Sequence, residues 1–418
     1  MVGVVGLLLA FTLLRARSVS LDWRVTIPLY GAAVAFPVQV GLGALVVLAE
    51  VPYVTEIHLV LGTAVFMLLL TALAWSLETD TAEQASERDT AQRSPEMDDT
   101  AVEKAVQSDP AETDANPTAT ADQSTHTIVA RAGAYLELTK PRLMWLLCLL
   151  AFAGMALATT TGESLSGVVV AATLGGGILA IGASGTFNHL YERDRDQRME
   201  RTADRPVATD EIPVRNAALF GVGQVLLSMG VLLVFVNVLA AALTFAAIIY
   251  YSVVYTVILK PNTSWNIAIG GGSGALPALI GWAAVTGSIG LGGLLLAGLV
   301  VIWTPPHFYN LGIAYKDDYA RGGYPMLPVV AGVSVARRRI LLTLGATLVT
   351  SVALIVWTPL AWLFAAISIL AGGLFFWSAV KQCRLRTRKA TMQTFFVSIA
   401  YLGIVLGAIV VETILVPL

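Results

Sequence analysis

Three oxygen-bearing side chains stand four residues apart in NHLYERDRDQRMERTADRP, residues 188–206: Asn188, Glu192 and Asp196. At i, i+4 and i+8 they share one face of a helix. A row of hard oxygen donors is how a small divalent cation such as Mg2+ is held, usually together with the phosphates of a substrate. Asp194 adds a carboxylate to the same stretch, and Arg201 and Arg205 follow it. Guanidinium groups suit bidentate contact with phosphate. A solvated basic loop would account for the arginines but not for the aligned carboxylates.

A second acidic pair lies in WTPPHFYNLGIAYKDDYARGGYPMLP, residues 303–328, where Asp317 and Asp318 are flanked by Lys316 and Arg321. Asn310, seven residues before Asp317, is expected on the same helical face. Two acidic clusters at one edge could grip a single polyphosphate through shared Mg2+. A third stretch, YTVILKPNTSWNIAIGGGSG (255–274), offers Tyr255, Lys260 and Asn266. Its glycines let either neighbouring helices or a ligand come close to the backbone.

The elements that must position these residues are apolar. Of 418 residues 56% are hydrophobic and 13% charged, against roughly 25% charged in soluble domains, so the chain reads as a polytopic all-α membrane protein. A lipid bilayer is therefore an expected partner and a nucleic acid is not. Cys148 and Cys383 form neither a metal pattern nor a disulfide framework. Residues 78–127 hold thirteen Asp and Glu against three Lys and Arg, a charge of −10 in a chain of net −2, which leaves +8 elsewhere. Such a segment buries too little apolar surface to fold and reads as a disordered linker.

A bilayer crossing takes about 20 apolar residues. Nine such spans follow the linker, centred near 152, 177, 225, 248, 277, 296, 348, 369 and 405. Loops after the even-numbered spans carry the basic residues, from Arg193 to Lys389, and loops after the first, third, fifth and seventh carry none. The positive-inside rule then places the charged loops, the acidic motifs and the linker in the cytoplasm, with the protein in the cell membrane. Two more spans lie near 38 and 67, and residues 2–14 form a weak or truncated helix. The expected division is 1–77, an N-terminal helical segment; 78–130, the linker; and 131–418, a nine-helix bundle.

A prenyl diphosphate matches this arrangement, because its head needs a metal and cations while its tail needs an apolar cavity. Ionisation of the allylic C–O bond in a water-excluding site would let an organic nucleophile capture the cation.

NHLYERDRDQRMERTADRP resembles the first aspartate-rich motif of the UbiA-type membrane prenyltransferases, and residues 130–418 are similar to their nine-helix plan. LTKPRLM (138–144), MERTADRP (199–206), NIAIGGGSGALPALIGWAAVTG (266–287), WTPPHF (303–308) and KDDYARGGYPMLPVV (316–330) look most like the protohaem IX farnesyltransferase, or haem O synthase, branch. That resemblance implies transfer from farnesyl diphosphate to a vinyl group of haem B, with Mg2+ as cofactor. It implies that Asn188, Glu192, Asp196, Asp317 and Asp318 hold the metal and diphosphate. Arg201, Arg205, Lys260, Lys316, Tyr255 and Asn266 would contact the diphosphate. Glu192 stands where many relatives have Asp, and Asp210 where they have Gly. His307 and His189 are candidate haem contacts, since imidazole suits iron. Residues 38–75 resemble a helix pair of haem A synthase, with His58 at a haem-facing position, which makes haem A synthase an expected partner. Two other readings fit the acidic motifs: prenylation of a quinone ring or glycerol-phosphate lipid, and Mg2+ or cation transport. Transport would want carboxylates near the midplane, not at the edge beside arginines.

Because flexible chains tolerate length changes, deleting half of residues 78–127 is expected to leave membrane insertion and turnover intact. An inserted but inactive deletion, assayed in membranes, would show that the segment does more than tether.

Overall fold

With no water in a bilayer core to meet exposed N–H and C=O groups, apolar runs must satisfy their own backbone, and here they do so as helices. The computed structural model describes residues 2–18, 21–48, 53–91 and 131–415, and no strand occurs among them. The helices in order are α1 (Val2–Ser18), α2 (Trp23–Leu48), α3 (Val54–Ala91), α4 (131–138), α5 (Pro141–Ala158), α6 (Gly167–Asp196), α7 (Val214–Phe235) and α8 (Val238–Ile249). The last continues as a π-helix over Tyr250–Leu259 and into α9 (Lys260–Asn262). Then come α10 (Asn266–Thr286), α11 (Leu291–Ala314), α12 (Lys316–Arg321), α13 (Leu327–Val330), α14 (Val333–Trp357), α15 (Trp362–Leu385) and α16 (Arg388–Leu415).

Among the described residues eleven helical stretches are long and apolar enough to cross a membrane. This is a multi-pass membrane protein. Nine of the stretches follow residue 130, as the hydropathy pattern predicts, and α2 and α3 supply the other two. The apolar part of α1, Gly3–Ala16, is too short to count among them. The helix α3 runs on to Ala91, so residues 78–91 are helical where the composition predicts a disordered linker. Ala82, Glu83, Gln84, Ala85 and Glu87 in that stretch are all good helix formers, which explains the continuation. The rest of the predicted linker, 92–130, lies outside the described residues.

Helices α10 and α11 form the interior of the bundle. They pack on one another, α10 also meets α5 and α8, and α11 also meets α14 and α16. Lipid tails are as apolar as leucine, so close packing rather than water exclusion must hold helices together. At the α5–α10 crossing two glycines make that possible. A Cβ on Gly154 would strike the Ala278 carbonyl, and one on Gly281 would strike the Ala151 carbonyl.

Polar ties brace the edge of the bundle remote from the acidic motifs. Asn237 caps α8 by accepting from the Ala240 N–H at 2.8 Å and donates to the Ala283 carbonyl of α10, also at 2.8 Å. Glu412, fully buried in α16, accepts the N–H groups of Leu363 and Phe364 at 3.0 and 3.1 Å, at the start of α15. A carboxylate at a helix N-terminus satisfies donors that have no intrahelical partner. The pair α2–α3 packs on the bundle through α14, where Leu70 occupies the notch left by Gly345. Arg338 lies 4.2 Å from the Trp75 ring centre, and Arg386 donates to the Leu77 carbonyl at 3.2 Å.

The crossing at Gly281 predicts a contrast between two glycines of α10. Gly281→Ala forces the backbones apart and is expected to lower the melting temperature of the detergent-solubilised protein. Gly274→Ala, with nothing within 4 Å of the new methyl, is expected to be neutral or to stabilise by up to ~1 kcal/mol. Equal melting temperatures for the two variants would count against a close α5–α10 contact.

Candidate active site

At 30 residues α6 is about 45 Å long, more than the roughly 30 Å hydrocarbon core requires, so its last turns reach the charged edge. Asn188, Glu192 and Asp196 stand in a row on those turns, each only 2% exposed. Buried carboxylates need ionic or hydrogen-bonding partners, and three separate elements supply them. Lys260, in α9, pairs with Glu192. Arg205, in the loop after α6, lies 2.7 Å from an Asp196 oxygen and 3.8 Å from Glu192. Lys140, immediately ahead of α5, donates to the Asn188 side-chain oxygen and, at 3.4 Å, to the Tyr251 hydroxyl.

Lys140 is in the left-handed region, φ 55° and ψ 56°, directly before Pro141. That conformation is unfavourable for a residue with a Cβ and persists only where its surroundings enforce it. Here it turns the ammonium toward the acid row. Burial, and then the charge of Arg205, push the Lys140 ammonium down from 10.5 to about 7, with Glu192 opposing them in part. The Asn188 amide donates to Thr256 at 3.1 Å. Thr256 and Tyr251 sit in the π-helical segment, whose wide turn lets the Thr256 hydroxyl donate five residues back, to the Tyr251 carbonyl. Such segments recur at functional sites. Lys140 is absent from the residues singled out by type and spacing. Its signals were a Lys–Pro step opening an apolar span, its place in the LTKPRLM stretch that carries the family resemblance, and the rule that ionisable groups at membrane spans carry function.

The second acidic motif is arranged differently from the expectation. The helix breaks at Tyr315, φ −120° and ψ 33°, so Asn310 and Asp317 do not share a continuous face. Asn310 is buried and donates to the Pro306 carbonyl at 2.7 Å. Asp318 accepts the N–H groups of Glu200 at 2.8 Å and Arg201 at 3.4 Å and pairs with Arg321 at 2.8 Å. It ties α12 to the loop that carries Arg201 and Arg205. Asp317 is exposed on a pocket of about 420 Å3. Lys316 is half-buried at the start of α12. Among the described residues no three His, Cys, Asp or Glu side chains gather as metal ligands. The five expected ligands are therefore not one shell: three form the α6 row, Asp318 is spent on backbone, and Asp317 stands apart.

The remaining candidates divide. The Tyr255 ring lies against Gly270, where a Cβ could not fit, and Gly271 and Gly272 give the same room to Thr304 and Tyr250. The glycine run thus serves close packing. Asn266 is buried at the head of α10 and donates to the Lys260 carbonyl at 3.4 Å, which steadies Lys260 through its backbone. Arg201 lies over the rings of Tyr315 and Tyr319 instead of joining the acid row. His307 is sandwiched between Trp303 and Phe395, each ring centre 4.4 Å away, and its Nδ1 is 2.6 Å from the Ser398 hydroxyl. Both faces of that imidazole are covered. His189 is buried on α6, and His58 lies in the α2–α3 pair, 3.3 Å from the Gln39 amide. Asp194 is exposed. Asp210 has φ 61°, a conformation that Gly adopts freely and Asp tolerates, and its carboxylate takes both contacts from Arg193, at 2.6 and 2.8 Å. Tyr324, also missing from the sequence candidates, has Lys260 and Arg195 over its ring at 4.5 and 5.0 Å.

Residues 147–400 match the model of the UbiA prenyltransferase family. The chain is 51% identical to protoheme IX farnesyltransferase 2 of Natronomonas pharaonis, over 95% of this chain and 86% of that protein. It is 49% identical to protoheme IX farnesyltransferase of Haloarcula marismortui, over 93% of this chain and 81% of that one. The solved apo structure of a UbiA homologue from Aeropyrum pernix superposes with a TM-score of 0.54 at 17% identity, covering 64% of this chain and 97% of that one. It shares the fold.

Lys140 makes stability depend on pH in a stated direction. Its native value near 7 lies below the ordinary 10.5, so the native state binds fewer protons between those limits and stability rises with pH across them. Thermal unfolding of the parent in detergent is expected to show that rise, and Lys140→Met to flatten it. Parallel curves for parent and variant would mean a solvated lysine.

Proposed function

We propose a specific activity for this chain, which belongs to the UbiA prenyltransferase family: transfer of a farnesyl group from farnesyl diphosphate to a vinyl group of haem B, with water completing the side chain of haem O and diphosphate released. The observation that carries the chemistry is the buried row Asn188–Glu192–Asp196, backed by cations from three elements. The choice of haem as acceptor is supported by the two relatives, at 51% and 49% identity, that are named for it.

The row fits Mg2+: its donors are oxygens, aligned on one helix face, and their present partners are cations that a divalent ion can replace. When bound there, Mg2+ would supply charge neutralisation for the departing diphosphate. The chain's own groups do the rest. Lys260 and Arg205, freed from the acids, and Lys140, freed from Asn188, would turn to the diphosphate oxygens and stabilise the charge that grows as the allylic C–O bond breaks. Asp318 holds the loop that presents Arg205. The surrounding helices keep water away until the acceptor has reacted.

Residues 131–418 form the catalytic unit on this reading, with 78–130 tethering the N-terminal helices. The positive-inside rule puts the charged edge, and so the site, in the cytoplasm of a cell-membrane protein.

Pigment extracted after expression with haem B available tests the reaction; a new, more hydrophobic haem is the expected product. Within it, Asp196→Asn is expected to abolish transfer while the folded protein stays in the membrane. Glu192→Gln leaves Lys260 facing an uncharged group and is expected to lower haem O formation by roughly a hundredfold, with Glu192→Asp only modestly impaired. A Glu192→Gln variant that matched the parent across an Mg2+ titration would remove Glu192 from the site.

A further inference from the structure

A side-chain amide has nearly the same shape whichever end carries its oxygen, so its partners decide which way it faces. At Asn188 the choice matters, because Mg2+ takes oxygen donors and an NH2 group offers it none. Two side chains meet this amide. Lys140 donates to Oδ1, and Nδ2 donates to the Thr256 hydroxyl at 3.1 Å. Asn188 is 2% exposed and Thr256 is fully buried, so bulk water does not compete for that second contact. A hydroxyl has one hydrogen, and that of Thr256 is spent on the Tyr251 carbonyl at 2.9 Å. Thr256 can therefore only accept from Asn188. An amide oxygen turned toward it would meet lone pairs with no hydrogen between them.

In an α-helix a threonine hydroxyl bonds a carbonyl three or four residues back. Thr256 reaches five back because Tyr250–Leu259 is wound as a π-helix. The π turn thus fixes the direction of the hydroxyl, and the hydroxyl fixes the amide. The two partners of Asn188 differ in what a metal would do to them. Lys140 holds the oxygen that Mg2+ would take, and two cations on one oxygen repel each other, so the ammonium must give way. Thr256 holds the opposite end and can stay. We infer that Thr256 is a positioning residue: its acceptor-only hydroxyl keeps the Asn188 oxygen presented to the metal once Lys140 has moved off. This rests on the proposed reading of the acid row as the seat of Mg2+. Thr256 itself touches neither metal nor substrate and acts through Asn188, 68 residues away in the chain.

The test reads metal binding directly, on the full-length protein in detergent. Mn2+ serves as a paramagnetic stand-in for Mg2+, with an unreactive farnesyl thiodiphosphate present. Thr256→Val keeps the shape of the side chain and removes the hydroxyl. Its Mn2+ affinity is expected to fall by about ten- to a hundredfold, the usual loss when the group that orients a metal ligand is removed. Thr256→Ala, which adds no crowding, should fall as far. Thr256→Ser, which keeps the hydroxyl, should recover most of the affinity. The discriminating arm is Asn188→Asp. A carboxylate presents an oxygen whichever way it turns, so in that background Thr256→Val should change Mn2+ affinity little. An equal loss in both backgrounds would show that Thr256 supports the fold and not the amide, which overturns the inference. Mn2+ binding by Thr256→Val and Thr256→Ala that matches the parent overturns it as well and leaves the acid row standing. A parent that binds no Mn2+, or an Asn188→Ala variant that binds it as tightly as the parent, takes Asn188 out of the metal site and this inference with it.

Discussion

Glu192 and Asp196 are carboxylates placed where water does not reach them, and the construction of the charged edge follows from what that costs. An unpaired buried charge is destabilising by several kcal/mol, so each oxygen must meet a cation or a hydrogen-bond donor. The cations that meet the row do not stand on α6 beside it. Lys140, Lys260 and Arg205 therefore come from three different connections, and each connection is shaped to deliver its charge. Ahead of α5 the chain takes a left-handed turn at Lys140. Before Lys260 the helix widens into a π segment. Between α6 and α7 the loop is pinned by Asp318, through the Glu200 and Arg201 N–H groups. In the proposed reaction a divalent ion and a polyanion would take over these contacts together.

Such a site needs a frame that does not yield, and the bilayer removes the hydrophobic drive that stiffens soluble cores. Close backbone approach takes its place. On α10 alone, Gly270 admits the Tyr255 ring, Gly271 admits Thr304 of α11, and Gly281 admits the Ala151 backbone of α5. The face of α10 that sets the helix spacing thus also seats an aromatic residue beside the acid row. At the far edge, Asn237 and Glu412 clamp helix starts with side-chain oxygens. One edge is locked by neutral and carboxylate caps while the other is held by ion pairs between distant elements.

Asp210 shows how a left-handed backbone position is held without glycine. A residue with φ 61° is most easily Gly, and Asp there bears some strain. The two contacts to Arg193, which sits in the last turn of α6 where a cation also favours the helix dipole, offset it. Asp210 therefore braces the loop without touching the acid row.

Length and composition are local properties, and what depends on them was readable from the chain: nine spans after residue 130, the alternation of loops with and without Lys or Arg, and the single face shared by Asn188, Glu192 and Asp196. Helical periodicity fixes that face whatever else the protein does. The pairing of charges is not local. Lys140 meets Asn188 across 48 residues, Lys260 meets Glu192 across 68, and Asp318 meets the Glu200 backbone across 118. Which cation reaches which acid is set by how α5, α6 and the α8–α9 segment cross, and periodicity carries no information about crossings. The same holds for the break at Tyr315, which separates Asn310 from Asp317, and for His307, whose aromatic sandwich is assembled with Phe395 of α16. Hydropathy and helical period thus specify a helical membrane protein with an acid row at one edge, whereas what neutralises that row depends on packing, because burial creates the need for partners and the helix crossings select them.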